Sequence, residues 1–163
     1  TLALVIAQNG FNLLTDDDCF IKLARGQTQL FPFPTKMGLN DKILKRYPQL
    51  NKHTLADYRY GGKCRIPLSC ISESQDAGSY RCKLIIFPEY KANRNISLKN
   101  ISKQEALDRL AKDNIGMYQK KEFQKNFWIL YNLTKKADAF ELIYNDNVLD
   151  KISEVIRKVG NLD

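Results

Sequence analysis

The first eighteen residues constrain this chain more than any other stretch. The apolar residues Leu2, Leu4, Val5 and Ile6 follow a helical pattern, and Asn9-Gly10 comes where a left-handed helix stop would fall. Residues 11–14 form a short apolar run suited to a buried parallel strand, and Thr15 leads from it into the triplet Asp16-Asp17-Asp18. Carboxylates at the end of a buried strand are placed where open α/β sheets bind ligands, and there they hold magnesium against phosphates. Taken alone, an Asp triplet after a strand is most often a solvated turn or a helix cap. The helical pattern begins at Thr1 with no cap residue or turn ahead of it, so the expectation is a chain cut in the middle of a domain.

Composition narrows the class. With 163 residues, 44% hydrophobic and 27% charged, the chain suits one globular domain with its own core and does not suit disorder, collagen or a disulfide scaffold. No apolar run approaches the roughly 20 residues that cross a bilayer, so the expectation is a soluble, cytoplasmic protein with no membrane partner. The 26 Lys and Arg exceed the 18 Asp and Glu by eight, and each half of the chain carries +4. An evenly spread positive charge points to an anionic partner: a nucleotide, a nucleic acid or an acidic protein.

Cys19, Cys64, Cys70 and Cys82 are separated by 45, 6 and 12 positions, which lacks the paired spacing of a zinc site. They read as buried thiols in a reducing compartment, where the sequons at Asn95, Asn100 and Asn132 are chance matches. His53, the one histidine, sits in a polar stretch and reads as a surface residue.

Further along, residues 19–23 and 27–33 read as a hairpin around Ala24-Arg25-Gly26, with Pro32 and Pro34 taking the chain out of the sheet. Residues 36–47 read as a helix through Leu39, Ile43 and Leu44, stopped by Pro48. A strand over 64–71 follows the turn Gly61-Gly62, residues 73–79 are a polar loop, and 82–87 form the clearest strand, bounded by Pro88. Ser102 and Glu105 form a capping box for a helix to about residue 112. Phe123, Phe127, Leu130 and Leu133 mark another helix whose aromatics fall at core spacing, with the lysine pairs 120–121 and 135–136 solvated. A strand over 140–144 precedes a last helix capped by Asp146 or Asn147, with Leu149, Ile152, Val155, Ile156 and Val159 on one face and Gly160 closing it. In the strand near residue 64, Lys63 and Arg65 share a face, either as a phosphate-neutralising pair or as a solvent-facing edge.

The segment TLALVIAQNGFNLLTDDD resembles the stretch of HPr kinase and its relatives that follows the Walker A lysine-serine pair and ends in the family's paired acidic residues. That resemblance implies a P-loop fold of the HPr kinase and phosphoenolpyruvate carboxykinase type: a mixed α/β sheet flanked by helices, here lacking its first strand and P-loop. It implies a single catalytic domain over 1–163, N-terminally truncated, and limited stability for a sheet open at its centre. Thr1 would follow the P-loop serine and touch the nucleotide, Asp16 and Asp17 would bind magnesium, and Asp17 would be the base that activates a hydroxyl. Asp18 leaves the register open between Asp16-Asp17 and Asp17-Asp18. A basic stretch similar to Lys63-Cys64-Arg65-Ile66-Pro67 recurs in diverged relatives, which places Lys63 and Arg65 at the phosphates.

The function implied is ATP- and magnesium-dependent phosphorylation of a Ser or Thr hydroxyl on a protein, peptide or small molecule, with homo-oligomers as in the classical family. The alternative is a non-catalytic relative that binds nucleotide or an acidic peptide. A nucleic-acid-binding module ranks last, because no basic cluster, helix-turn-helix pattern or aromatic strand supports it.

Overall fold

In the computed structural model the described residues are 2–32, 36–55, 59–60, 62–72, 78–114, 120–146 and 151–160. They form five α-helices and eight strands, a mixed α/β protein. Contacts gather the chain into two compact units, residues 1–20 with 32–78 and residues 21–31 with 79–163.

The first unit opens on α1 (Leu2–Gln8), as its apolar spacing predicts. Gly10 has φ +90°, its N–H reaches the Ala7 carbonyl at 3.1 Å, and the Phe11 N–H reaches Ile6 at 3.4 Å. These paired bonds are a Schellman stop, so the glycine ends the helix as expected. The strand expected over 11–14 does not form. Its Leu13 N–H donates to the Ser72 hydroxyl at 3.1 Å instead of to a ladder, while the Leu13 side chain packs against the core. A four-residue apolar run can cover a core without pairing, and here it does.

Residues 36–47 also differ from expectation. Lys36–Asn40 is strand β3 and only Asp41–Arg46 is helix α2. Met37 and Leu39 are both buried at the two-residue period of a strand, and Asn40 accepts the Ile43 N–H at 3.0 Å as the helix N-cap. Pro48 then opens a 3₁₀ turn, Pro48–His53, from its first position. β3 and β4 (Arg59–Tyr60) flank β5 (Lys63–Pro67), each antiparallel to it. The strand expected over 64–71 thus ends at Pro67, and Leu68–Cys70 is a 3₁₀ turn. Leu4, Met37, Leu39, Ile43, Leu44, Cys64 and Ile66 form the core of this unit.

The hairpin pairs β1 (Cys19–Ala24) with β2 (Gln27–Pro32), and apart from its outer ends it belongs to the second unit. Its two-residue turn has Arg25 at φ +49° and Gly26 at φ +70°, the type I′ geometry that matches strand twist. The strand continues through Pro32, and Pro34 lies outside the described residues.

The second sheet of this unit places β8 (Asp138–Tyr144) between β6 (Leu84–Tyr90), parallel to it, and β7 (Ser97–Asn100), antiparallel. β6 runs through Pro88 rather than ending before it. Strand β6 is an edge of its sheet, where a missing N–H breaks no essential ladder bond. The Ser102 hydroxyl caps α3 (Lys103–Asn114) by accepting the Glu105 N–H at 3.1 Å.

Helix α4 (Lys120–Lys136) buries Leu130, Leu133 and Thr134, but its aromatics are not core. Phe123 is 45% exposed, Phe127 36%, Trp128 57% and Tyr131 38%, so the expectation of an aromatic core stripe is corrected. They cover one another, Phe123 stacked on Phe127 at 6.3 Å and Trp128 edge-on to Tyr131 at 5.4 Å. Helix α5 (Ile152–Gly160) buries Ile152 and Ile156 on the expected face. Asn147 and Leu149 lie outside the described residues, and the Asp146 carboxylate accepts the Tyr90 hydroxyl at 3.1 Å.

Candidate functional site

Residues 15–18 form a bend rather than a strand end. The Thr15 hydroxyl donates to the Asp18 carbonyl and closes the bend on itself. Asp17 and Asp18 face solvent, while Asp16 turns inward and is half-buried. Burial and the neighbouring Asp17 charge raise the Asp16 carboxyl above its ordinary range, against the opposing pull of the Gly38 N–H and the Lys63 ammonium. Asp16 is therefore the member of the triplet that the fold holds in place.

The sheet explains the position of its partners. β3 is an edge of the β3–β5–β4 sheet, and the Gly38 N–H donates to the Asp16 carboxylate. Along β5 the buried Cys64 and Ile66 alternate with the exposed Lys63 and Arg65. The two basic side chains thus share the outward face, as the alternation in sequence predicts. Arg65 stands opposite Gly38 in the register, and a Cβ added at Gly38 would lie 3.4 Å from the Lys63 Cδ.

Asp16 and Lys63, 47 positions apart, thus come within electrostatic reach of one another, with Arg65 on the same strand face as Lys63 and the exposed Asp17 next to Asp16 in the chain. Thr1 lies outside the described residues. Gly38 is the contributor that sequence reasoning missed; its signal was a glycine between Met37 and Leu39 inside a strand, which often marks close backbone approach.

Magnesium takes one or two carboxylates and completes its shell with water and substrate phosphates. Asp16 with Asp17 offers that donor set. Among the described residues no group of three or more His, Cys, Asp or Glu could hold a metal ion. His53 is half-buried at the end of its 3₁₀ turn. Of the thiols only Cys64 is buried; Cys70 and Cys82 are half-buried and Cys19 is exposed, which corrects the expectation of four buried thiols.

No family model matches this chain, and no curated protein or solved structure matches it either. Any function must therefore be argued from the residues. No helix of the described residues is long and apolar enough to cross a membrane.

Proposed function

We propose that the first unit carries the phosphate- and metal-facing part of an ATP- and magnesium-dependent phosphotransferase resembling HPr kinase. What supports this reading is that Asp16 and Lys63, two positions that the resemblance marks independently, lie near enough for the Lys63 charge to act on the Asp16 carboxyl. The acceptor is a Ser or Thr hydroxyl of a protein, peptide or small molecule.

In this reading Asp16, held by the Gly38 N–H, orients the metal, and the exposed Asp17 accepts the proton of the attacking hydroxyl. Magnesium held there would supply charge neutralisation on the transferred phosphoryl group. Lys63 and Arg65 bind the phosphate oxygens, and the Arg65 guanidinium can do so through two parallel N–H bonds. The chemistry is positioning and electrostatics, as phosphoryl transfer requires.

One observation favours a second reading. The Asp16 carboxylate is already engaged at the Gly38 strand edge, which leaves it less free for a metal and suits a relative that binds nucleotide or an acidic peptide without turnover. Magnesium-dependent ATP turnover by the protein separates the two. Asp17→Asn should lower turnover by about 10²-fold or more if Asp17 is the base. Turnover that survives Asp17→Asn contradicts the assignment, and binding of MgATP without turnover supports the second reading.

A further inference from the structure

The second unit holds a cavity of about 460 Å³ lined by Arg81, Lys83 and Lys136, with Asp138, the buried Thr28 and Val159 completing the wall. We infer that it binds a small organic phosphate, a phosphomonoester dianion on a body about the size of a nucleoside. The site shares no residue with the Asp16–Lys63 arrangement and stands or falls separately from it.

Charge carries the argument. The carboxylate in the wall, Asp138, is engaged by the Lys103 ammonium at 3.2 Å. The Lys136 ammonium, at the end of α4, donates to the Gly26 carbonyl at 2.6 Å, which fixes it over the hairpin turn and leaves it two further protons to donate. Among the described residues no carboxylate pairs with Arg81, Lys83 or Lys136. Three cations facing one concavity repel one another and concentrate positive potential there, and an anion relieves that repulsion.

Shape sets the size of the anion. The volume lies within the roughly 300–1,000 Å³ of small-ligand sites, larger than a bare phosphate needs. Of the lining residues, Arg81 can offer a planar fork to two phosphate oxygens and Lys83 and Lys136 point charges, which leaves the wall at Thr28 and Val159 for the organic body. Two other cavities lined by described residues lack this combination. One of about 510 Å³ in the first unit balances Lys45 with Asp41, and one of about 150 Å³ beside Lys103 and Lys135 is too small.

The test is calorimetric titration of the full chain in EDTA, which removes magnesium-dependent binding, with AMP as the phosphomonoester, inorganic phosphate as the bare anion and adenosine as the neutral body. AMP should bind more tightly than phosphate, and adenosine should not bind. The double variant Arg81→Ala/Lys83→Ala should weaken AMP at least tenfold, while the charge-matched Lys22→Ala/Lys112→Ala should leave it unchanged. As an independent readout in the unmodified chain, AMP should slow alkylation of Cys82, which also lines the cavity, as localised by mass spectrometry. Absence of AMP binding, equal binding of adenosine, or an equal loss in the charge-matched variant would overturn the inference. So would binding of a single-stranded oligonucleotide that outcompetes AMP and is indifferent to the cavity variant, since that is a diffuse surface effect.

Discussion

Asp16 has a cost in stability that its place in the fold makes visible. Burial raises its pKa in the folded state, so the folded chain holds that proton more tightly than the unfolded chain does. The resulting stabilisation is present below the unfolded pKa and is lost as pH rises through the folded one. At neutral pH Asp16→Asn should therefore raise the melting temperature, since the amide oxygen can still accept the Gly38 N–H, and the difference should vanish once the pH is below the ordinary aspartate range. A melting temperature lowered by the substitution at neutral pH would contradict this. Gly26 poses the opposite case: at φ +70°, with open space where a methyl group would sit, Gly26→Ala is a backbone effect alone. The expected cost is about 1–2 kcal/mol in chemical denaturation.

Elements were legible where a single residue enforces a local geometry. Gly10 stops α1, Arg25-Gly26 turns the hairpin and Ser102 caps α3, because backbone sign and capping bonds act over a few residues. Ser102→Ala should accordingly cost about 1 kcal/mol in the same assay. Elements were illegible where a distant partner decides. Residues 11–14 need a neighbouring strand to become one and find Ser72 instead, and Leu39 fits helical spacing as well as strand spacing until Gly38 and Asn40 are weighed. Pro88 could be placed inside β6 only by knowing that β6 is an edge.

The tie between α3 and β8 was likewise hidden in the sequence. Arg109 bonds Glu105 at 2.6 Å and Glu141 at 2.7 Å, with its guanidinium 5.4 Å over the Phe87 ring. The Arg109 hydrogen bond holds the Glu141 carboxyl below its usual range, so its stabilisation is present above the unfolded pKa and is lost as pH falls through the depressed one. Glu141→Gln should lower the melting temperature at neutral pH, and the gap should close in acid. A gap that persists below the carboxylate range would assign the effect to packing instead.

Across the whole molecule, the net charge of +8 reads differently once the units are described. Evenly spread in sequence, it includes two local groupings: Lys63 and Arg65 on the outward face of β5, and Arg81, Lys83 and Lys136 lining one cavity. The first was legible because strand alternation pairs Lys63 with Arg65 within three positions. The second joins residues 55 positions apart, Arg81 and Lys136, and no local pattern announces it. The exposed aromatics of α4 were misread for a related reason, since helical spacing tells which residues share a face and not whether that face is covered.

In the proposed function, the region of Asp16, Lys63 and Arg65 receives a magnesium-bound nucleotide. Calorimetric titration of MgATP into the protein and its Lys63→Ala/Arg65→Ala variant tests it most directly. Binding should depend on magnesium and be weakened at least tenfold in the variant, while AMP binding in EDTA is unchanged. MgATP affinity that is the same in both proteins would contradict it.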